Sequence, residues 1–338
     1  MILFFGNFLS KHGLNPTAIE DLVVTLGEKY DVIYASSKKN VILRFFDMVF
    51  TLFINRKRTR LIFVDVFSTK AFFFSLAIAF CAILFKISFI PIFRGGYLIE
   101  RFEKYKLIFR YFFTKAELVI CPSVLFYDYF GKKGFNVKLI PNYIDIKKYK
   151  YKLRMDINPK ILWVRSIHTI YNPKLAIELI VRLIKKYPAA KLCFVGPVKD
   201  SNLFQELNYL VNEYKLQKCV SFKGYLSKNE WSKLSESYDI FLNTTNYDNN
   251  PITLLEAMAL GLPVISTKVG GISQLIEDQV SGLLVEANDL NTMEQVFLNL
   301  LNNKYNIKKI SSNALKIAQS SEKSIIIKEW YQIIDEFL

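Results

Sequence analysis

The chain has 338 residues, and 51% of them are hydrophobic, which is enough for two domains of ordinary size, each with its own core. Its four cysteines are scattered and it has only two histidines, so we expect neither a disulfide framework nor a zinc site. The formal net charge is +15, and most of it belongs to residues 1–150, which contain 23 Lys and Arg against 11 Asp and Glu.

The first half of the chain alternates between apolar strands and helices, a pattern typical of a doubly wound α/β domain. "MILFF" has no basic segment before it, so we expect a first strand and a cytoplasmic protein rather than a secretory signal. The apolar run 71–85 is short of the roughly 20 residues that span a bilayer and predicts a buried or interfacial helix. The predicted strands are 1–5, 31–35, 61–67, 87–93, 118–121 and 137–142, with helices near 16–29, 40–56, 71–85 and 103–115 and in the segment "VLFYDYFGKKG".

A charged segment at 143–160 without strong periodicity predicts an interdomain linker, after which the same alternation starts again. The second set of predicted strands is 161–166, 191–197, 220–225, 239–245, 263–267 and 282–285, with helices at 172–188, 201–214, 228–236, 251–260 and 272–277. The last 18 residues form an amphipathic pattern whose aromatic face needs a surface to cover. We therefore predict domains at 1–150 and 151–320 with a cleft between them, and a helix at 321–338 that returns to the first domain.

The segment with the most sequence features of a ligand site is "NTTNYDNNPITLLEAMALGLPVISTKVGG" (243–271), and its first residues belong to a predicted strand. Ligands of parallel sheets bind at the carboxyl ends of strands, so this loop is expected to belong to a site. Proline suits the start of a helix, and the exposed N–H groups there can hold a phosphate. The residues predicted to form this helix start are Asn250, Pro251, Ile252 and Thr253.

Two carboxylates eight residues apart flank the helix start. Glu256 lies within its first turns, where it can accept two vicinal hydroxyls of a ribose or a sugar, and Asp248 precedes it in the loop. The simpler interpretation is that Asp248 caps a turn and Glu256 caps the helix. Gly270 and Gly271 are expected to let backbone approach a ligand closely.

The combination closely resembles the E-x7-E signature region of the retaining glycosyltransferases of family four, which have the GT-B fold of two Rossmann-like domains. "GNFLSKHG", which begins at Gly6, is similar to that family's loop near the donor phosphates, and "RGG" (94–96) to its acceptor-side loop. "WVRS" and "YNPKLAI" resemble the strand and helix whose Arg and Lys bind the donor pyrophosphate, which here implies Arg165 and Lys174.

Three positions depart from the family pattern. The first Glu of the signature is Asp248, and "YNPK" replaces the usual "KG", which leaves Asn172 and His168 as competitors of Lys174. Arg94 stands where many members have His, and we expect it either to meet a phosphate or carboxylate or to be an ordinary surface arginine.

The resemblance implies a retaining, metal-independent hexosyltransferase that uses a nucleotide-diphosphate sugar as co-substrate and no bound cofactor. Glu256 would bind the donor's ribose, Asp248 the transferred sugar, and Arg165 and Lys174 the diphosphate. The implied acceptor is a glycan or a lipid-linked glycan in the synthesis of a lipopolysaccharide or capsule. The alternatives are a GT-B sugar-nucleotide epimerase and a catalytically silent scaffold on a membrane.

The basic first half suggests where such an enzyme works. Clusters such as "RKRTR" (56–60) lie beside apolar stretches, which favours an anionic membrane surface, while a solvated basic face is the simpler alternative. No nucleic-acid-binding motif accompanies the charge, so we expect no nucleic acid partner. The predicted location is peripheral, on the inner face of the cytoplasmic membrane.

Overall fold

The computed structural model describes residues 1–8 and 18–338 and contains two separate six-stranded sheets, both parallel. The chain divides into two compact units. The first consists of Met1–Asn142 together with Ile326–Leu338, and the second of Tyr143–Ile325. The α/β class expected from the alternating pattern is confirmed.

In the first unit the strand order is β2-β1-β3-β4-β5-β6. The strands are β1 (Ile2–Phe5), β2 (Val32–Ala35), β3 (Leu61–Val66), β4 (Ser88–Phe93), β5 (Val119–Cys121) and β6 (Val137–Leu139). The helices are α1 (Ala18–Gly27), α2 (Val41–Asn55), α3 (Phe72–Phe85), α4 (Leu98–Lys104), α5 (Lys106–Phe113) and α6 (Val124–Lys132). The single helix expected near 103–115 is thus two helices that meet at Tyr105, whose extended φ of −121° interrupts the helical backbone.

Phenylalanine dominates the core of this unit. All six residues of β3 are buried, as expected for a parallel strand covered on both faces. On one face, the rings of Phe93, Phe109 and Phe130 contact one another at centroid distances of 4.6–5.7 Å. These rings fix α5 and α6 against the sheet.

In the second unit the strand order is β12-β11-β10-β7-β8-β9. The strands are β7 (Lys160–Val164), β8 (Lys191–Val195), β9 (Val220–Phe222), β10 (Ile240–Asn243), β11 (Val264–Thr267) and β12 (Leu283–Val285). The helices are α7 (Pro173–Lys186), α8 (Ser201–Glu213), α9 (Lys228–Leu234), α10 (Ile252–Ala259), α11 (Ile272–Leu275), α12 (Leu290–Leu301) and α13 (Ile307–Ser320). No element was predicted from the sequence for the region of α12 and α13.

The segment 143–160 is packed into the second unit instead of forming a solvated connection. Ile144 and Tyr149 belong to its buried core. Arg154 is 3% exposed, and its guanidinium donates hydrogen bonds to four backbone carbonyls, among them those of Leu260 and Tyr238. A charged sequence is compatible with burial here because carbonyl oxygens satisfy the guanidinium.

The last helix, α14 (Lys323–Phe337), contributes its residues from Ile326 onward to the first unit. Trp330 is buried, and its ring lies edge-on to Phe63 of β3 at 5.6 Å. Asp335 accepts a hydrogen bond from the Tyr30 hydroxyl at 2.6 Å and pairs with Lys29 at 3.0 Å. The aromatic face of this helix therefore covers the sheet.

Candidate active site

The second sheet changes its winding direction between β7 and β10. The two strands pair in parallel, but the chain leaves β7 toward β8 and leaves β10 toward β11, on opposite sides. Such a switch point creates a crevice at the carboxyl ends of the strands, where α/β proteins bind ligands. Arg165 directly follows β7, and the loop with Asp248 follows β10.

Arg165 and Asp248 meet at this point. Arg165 Nη2 lies 2.7 Å from Asp248 Oδ2, with side chains 12% and 17% exposed. The guanidinium also lies over the ring of Tyr171, 5.1 Å from its centroid. Among the described residues, Arg165 Nε and Nη2 have no aligned hydrogen-bond acceptor, so the contact is an ion pair that leaves N–H groups for a further anion.

The Tyr171 hydroxyl belongs to the same cluster. Burial raises its pKa, and the neighbouring Arg165 guanidinium opposes that rise only in part. Tyr171 is therefore a neutral phenol that supplies a ring and a hydroxyl beside the arginine.

Two glycines hold the backbones of the paired residues. A Cβ on Gly196, whose φ is +144°, would lie 2.0 Å from the Arg165 carbonyl oxygen. A Cβ on Gly270, whose φ is +53°, would lie 1.9 Å from the Asp248 carbonyl oxygen, and Gly271 N donates to that oxygen at 3.0 Å. Gly270 and Gly271 thus let their loop pack directly against the Asp248 loop and clamp it in place. The close backbone approach at these glycines is to the Asp248 carbonyl, whereas the sequence predicted an approach to a ligand.

Glu256 lies in α10 and is only 2% exposed. Its Oε1 accepts a hydrogen bond from the Tyr149 hydroxyl at 2.7 Å and is 3.0 Å from Lys228 Nζ. Neither partner was expected from the sequence, because both are distant in the chain and lie outside the motif. Together they hold a buried carboxylate in place.

The start of α10 differs slightly from its expected form. Pro251 is the residue before the first helical turn, and Ile252 is the first helical residue. Asn250 precedes them in the loop, and its own contacts are made within the protein. The Thr253 hydroxyl oxygen is buried and has no hydrogen-bond partner among the described residues. The helix N-terminus therefore offers N–H groups and one hydroxyl to an anion.

Lys174 is not brought into this cluster. Its Nζ lies 2.7 Å from Glu206, with both side chains nearly half exposed, and this hydrogen bond raises the pKa of the lysine. Its two competitors have local roles. His168 Nδ1 accepts from Ile170 N, and Asn172 adopts a left-handed φ of +46° as it caps α7.

A lysine that was not predicted from the sequence follows β8, the strand that pairs with β7. This residue is Lys199, and its backbone N–H donates to the carbonyl of Ile167, two residues after Arg165. Its side chain reaches solvent, yet the surrounding protein lowers its pKa by desolvation. No carboxylate pairs with it in the described parts of the chain. The sequence feature that could have identified Lys199 is its position just after the end of a predicted strand.

In the first unit, Gly6, Asp65 and Arg94 lie at the ends of β1, β3 and β4. Arg94 Nε donates to Asp65 Oδ1 at 2.6 Å, and Nη1 donates to Asn142 Oδ1 at 3.2 Å. A Cβ on Gly6 would lie 2.9 Å from Asp65 Oδ2, an atom with no hydrogen-bond partner among the described residues. Burial raises the pKa of Asp65 despite the arginine. Arg94 therefore meets a carboxylate as a largely buried ion-pair partner, and His12 lies outside the described residues.

An ion pair at the switch point of a parallel sheet defines a candidate ligand site of an α/β protein, and comparison with known proteins gives the family. Residues 145–317 match the family described as Glycosyl transferases group 1, and the chain belongs to it.

Two curated relatives and one solved structure are informative. The chain is 28% identical over 226 residues to the amylovoran biosynthesis glycosyltransferase AmsK of Erwinia amylovora, which covers 62% of the chain and 54% of AmsK. It is 24% identical over 196 residues to the UDP-Gal:alpha-D-GlcNAc-diphosphoundecaprenol alpha-1,3-galactosyltransferase of Escherichia coli, which covers 54% of the chain and 47% of that enzyme. The chain thus spans about half the length of these relatives.

The structure of Anabaena Alr3699/HepE in complex with UDP-glucose aligns with a TM-score of 0.76 over 99% of both chains, at 18% identity. This likeness establishes the two-domain GT-B fold.

Proposed function

We propose that the protein is a glycosyltransferase that moves a hexose from a nucleotide-diphosphate sugar to a glycan acceptor in the synthesis of a cell-surface polysaccharide. The observation that carries the proposal is the Arg165–Asp248 pair at the switch point of the second sheet. It combines a cation for a diphosphate with a carboxylate for sugar hydroxyls. The relatives named for polysaccharide synthesis support the same class.

In the proposed reaction, the bond between the sugar's anomeric carbon and the diphosphate breaks, and the acceptor oxygen forms the new bond on the same face. The departing diphosphate oxygen accepts the acceptor's proton, so no separate protein base is required. Arg165 and the start of α10 stabilise the growing negative charge without a metal ion. Asp248 accepts hydrogen bonds from the transferred sugar.

Glu256 is proposed to bind the donor's ribose. Its carboxylate is already positioned by Tyr149 and Lys228, both through Oε1, and a vicinal diol would donate to Oε2.

Uridine nucleotides are the first donors to test, because HepE binds UDP-glucose and the name of the E. coli relative includes UDP-Gal. That relative's name also includes a diphosphoundecaprenol acceptor, which supports a lipid-linked glycan here.

The acceptor and the basic first half together support attachment to the inner face of the cytoplasmic membrane. Within the described residues, no helix is both long and apolar enough to cross a membrane. Each basic group near an anionic surface contributes about 1 kcal/mol of attraction. We propose that the first unit makes this contact.

The nucleotide is identified by the shift in melting temperature with UDP, GDP, ADP and their sugars. A ligand at 100 times its Kd stabilises the folded state by about 2.7 kcal/mol. Glu256→Gln is expected to weaken binding of the effective nucleotide by about 1–3 kcal/mol, because a charged hydrogen-bond acceptor is lost.

The matched control is Glu206→Gln, which removes an exposed carboxylate on α8 and should leave the shift unchanged. Incubation of the donor with glycan acceptors then separates the alternatives by product. A new glycoside with the donor's anomeric configuration supports retaining transfer, and activity that survives a chelator supports metal independence. An epimerised donor, or no nucleotide binding at all, would contradict the proposal.

A further inference from the structure

Helix α2 has apolar side chains on both its buried and its solvent face. Met48 and Leu52 are buried against the sheet, while Val41 at the first helical position and six further large apolar residues are 51–66% exposed. These six are Ile42, Leu43, Phe46, Phe50, Phe53 and Ile54. At about 100° per residue they fall within a sector of about 120°, so they form one continuous stripe.

Helix α3 lies beside α2 and extends the apolar surface. Phe45 of α2 contacts Phe74 of α3 at 5.5 Å, and Phe53 contacts Phe85 at 6.3 Å. Because both contacts advance in the same chain direction, the helices run side by side in parallel. No residue of α3 is charged, and Phe73, Phe80 and Leu84 are 46–61% exposed along one side of it. We call these six side chains of α2 and three side chains of α3 the apolar face.

Basic residues lie at the ends of these helices. Lys38 and Lys39 precede α2, Arg56 and Lys57 follow it, and Lys86 caps α3. The Arg56 guanidinium lies 4.1 Å from the centroid of the Phe53 ring and 5.9 Å from that of Phe85. An arginine that lies along apolar side chains while its charge stays at their edge is suited to a membrane interface.

We infer that the apolar face inserts among the lipids of an anionic membrane, with α2 and α3 lying in the plane of the interface. An apolar stripe rimmed by cations complements acyl chains next to anionic headgroups, whereas a protein partner for it would need a matching acidic rim. The helices have 15 and 14 residues, too few to cross a bilayer. Charge alone would make the membrane attachment proposed above fully salt-sensitive. Insertion of the apolar face deepens that proposal, and it does not depend on transferase activity.

The test is flotation of the full chain with vesicles of phosphatidylcholine alone or mixed with phosphatidylglycerol, at low and high salt. The variant Phe46→Ser/Phe50→Ser/Phe53→Ser replaces exposed side chains, so its fold should persist. We expect anionic vesicles to bind the wild type, partly even at high salt, and the triple variant to bind at least tenfold more weakly. The matched control is Val24→Ser/Tyr209→Ser/Ile325→Ser, which removes three large side chains that are 49–70% exposed elsewhere and should float like the wild type.

Equal flotation of the Phe variant and the wild type would overturn the inference. So would a wild type that ignores vesicles but forms dimers by light scattering that the Phe variant abolishes, because the face would then be an interface between copies of the chain. The nucleotide-induced shift in melting temperature is measured on the same variants. Its persistence in a variant that no longer floats separates failure of membrane binding from failure of the proposed function.

Discussion

At the scale of single residues, the contact between Arg165 and Asp248 determines what a bound ligand has to compete with. A diphosphate that binds the guanidinium has to share it with a carboxylate already 2.7 Å away. The sequence predicted both residues at strand ends facing one site. It did not predict their mutual contact, because residues 83 positions apart pair only through the geometry of the sheet.

Asp248→Asn should leave nucleoside diphosphate binding intact or tighten it a few-fold, since a competing charge is removed. It should slow transfer, because the proposed contact with the sugar is weakened. Arg165→Ala should reduce kcat by about 10²–10³-fold and change KM less, because charge on the diphosphate grows in the transition state. Calorimetry with the nucleotide and initial rates with the sugar donor measure the two effects. Wild-type transfer by both variants would mean that the pair is structural.

The second cation for the diphosphate is expected to be Lys199 and not Lys174. Lys199→Met should weaken nucleoside diphosphate binding about tenfold or more, since charged hydrogen bonds contribute about 1.5–3 kcal/mol. Lys174→Met should change it less than about threefold, because an exposed ion pair contributes little. Binding of the nucleoside without phosphates is the internal control. The opposite ranking of the two variants would restore the role that the family resemblance implies for Lys174.

At the scale of elements, the positions of the strands and of most helices followed from hydrophobic alternation, because parallel strands buried on both faces are continuous apolar runs, whereas α12 and α13 were not predicted. The packing of residues 143–160 did not follow, since a charged segment gives no sign that the Leu260 carbonyl at the end of α10 will accept a hydrogen bond from Arg154. The start of α10 was predicted from its proline, and the contacts of Glu256 with Tyr149 and Lys228 were not. Local pattern specifies an element, whereas its long-range partners depend on the assembled sheet.

The clamp on the Asp248 loop gives a prediction at this scale. In Gly270→Ala the new methyl group would meet the Asp248 carbonyl, so the loop has to move and kcat/KM should fall at least tenfold. Gly134→Ala is the matched control, because Gly134 also has a positive φ, +85°, but no atom within 4 Å of the added Cβ. The control should lose about 1–2 kcal/mol of stability from the left-handed backbone alone and keep its activity. Equal losses of activity in both variants would show that backbone strain, and not the clamp, is responsible.

At the scale of the whole molecule, the chain passes from the first unit to the second after Asn142 and returns after Ile325. The amphipathic pattern of the last helix predicted a return. The hydrogen bond between Asp335 and Tyr30 could not be predicted from the sequence, because the two residues are 305 positions apart. A helix that closes the first unit makes the stability of its sheet depend on residues that follow the whole second unit in the chain.

Trp330→Ala should therefore destabilise the first unit by about 3–5 kcal/mol, the usual cost of truncating a buried large aromatic residue. Hydrogen exchange in β3 measures this locally, since Trp330 contacts Phe63 of that strand, and it avoids treating two units as one transition. Ile325→Ala, on the same helix but half exposed, is the control and should cost less than about 0.5 kcal/mol. Exchange in β8 of the second unit should be unchanged in both variants. If Trp330→Ala leaves protection of β3 at the level of the control, the sheet of the first unit is stable without the last helix.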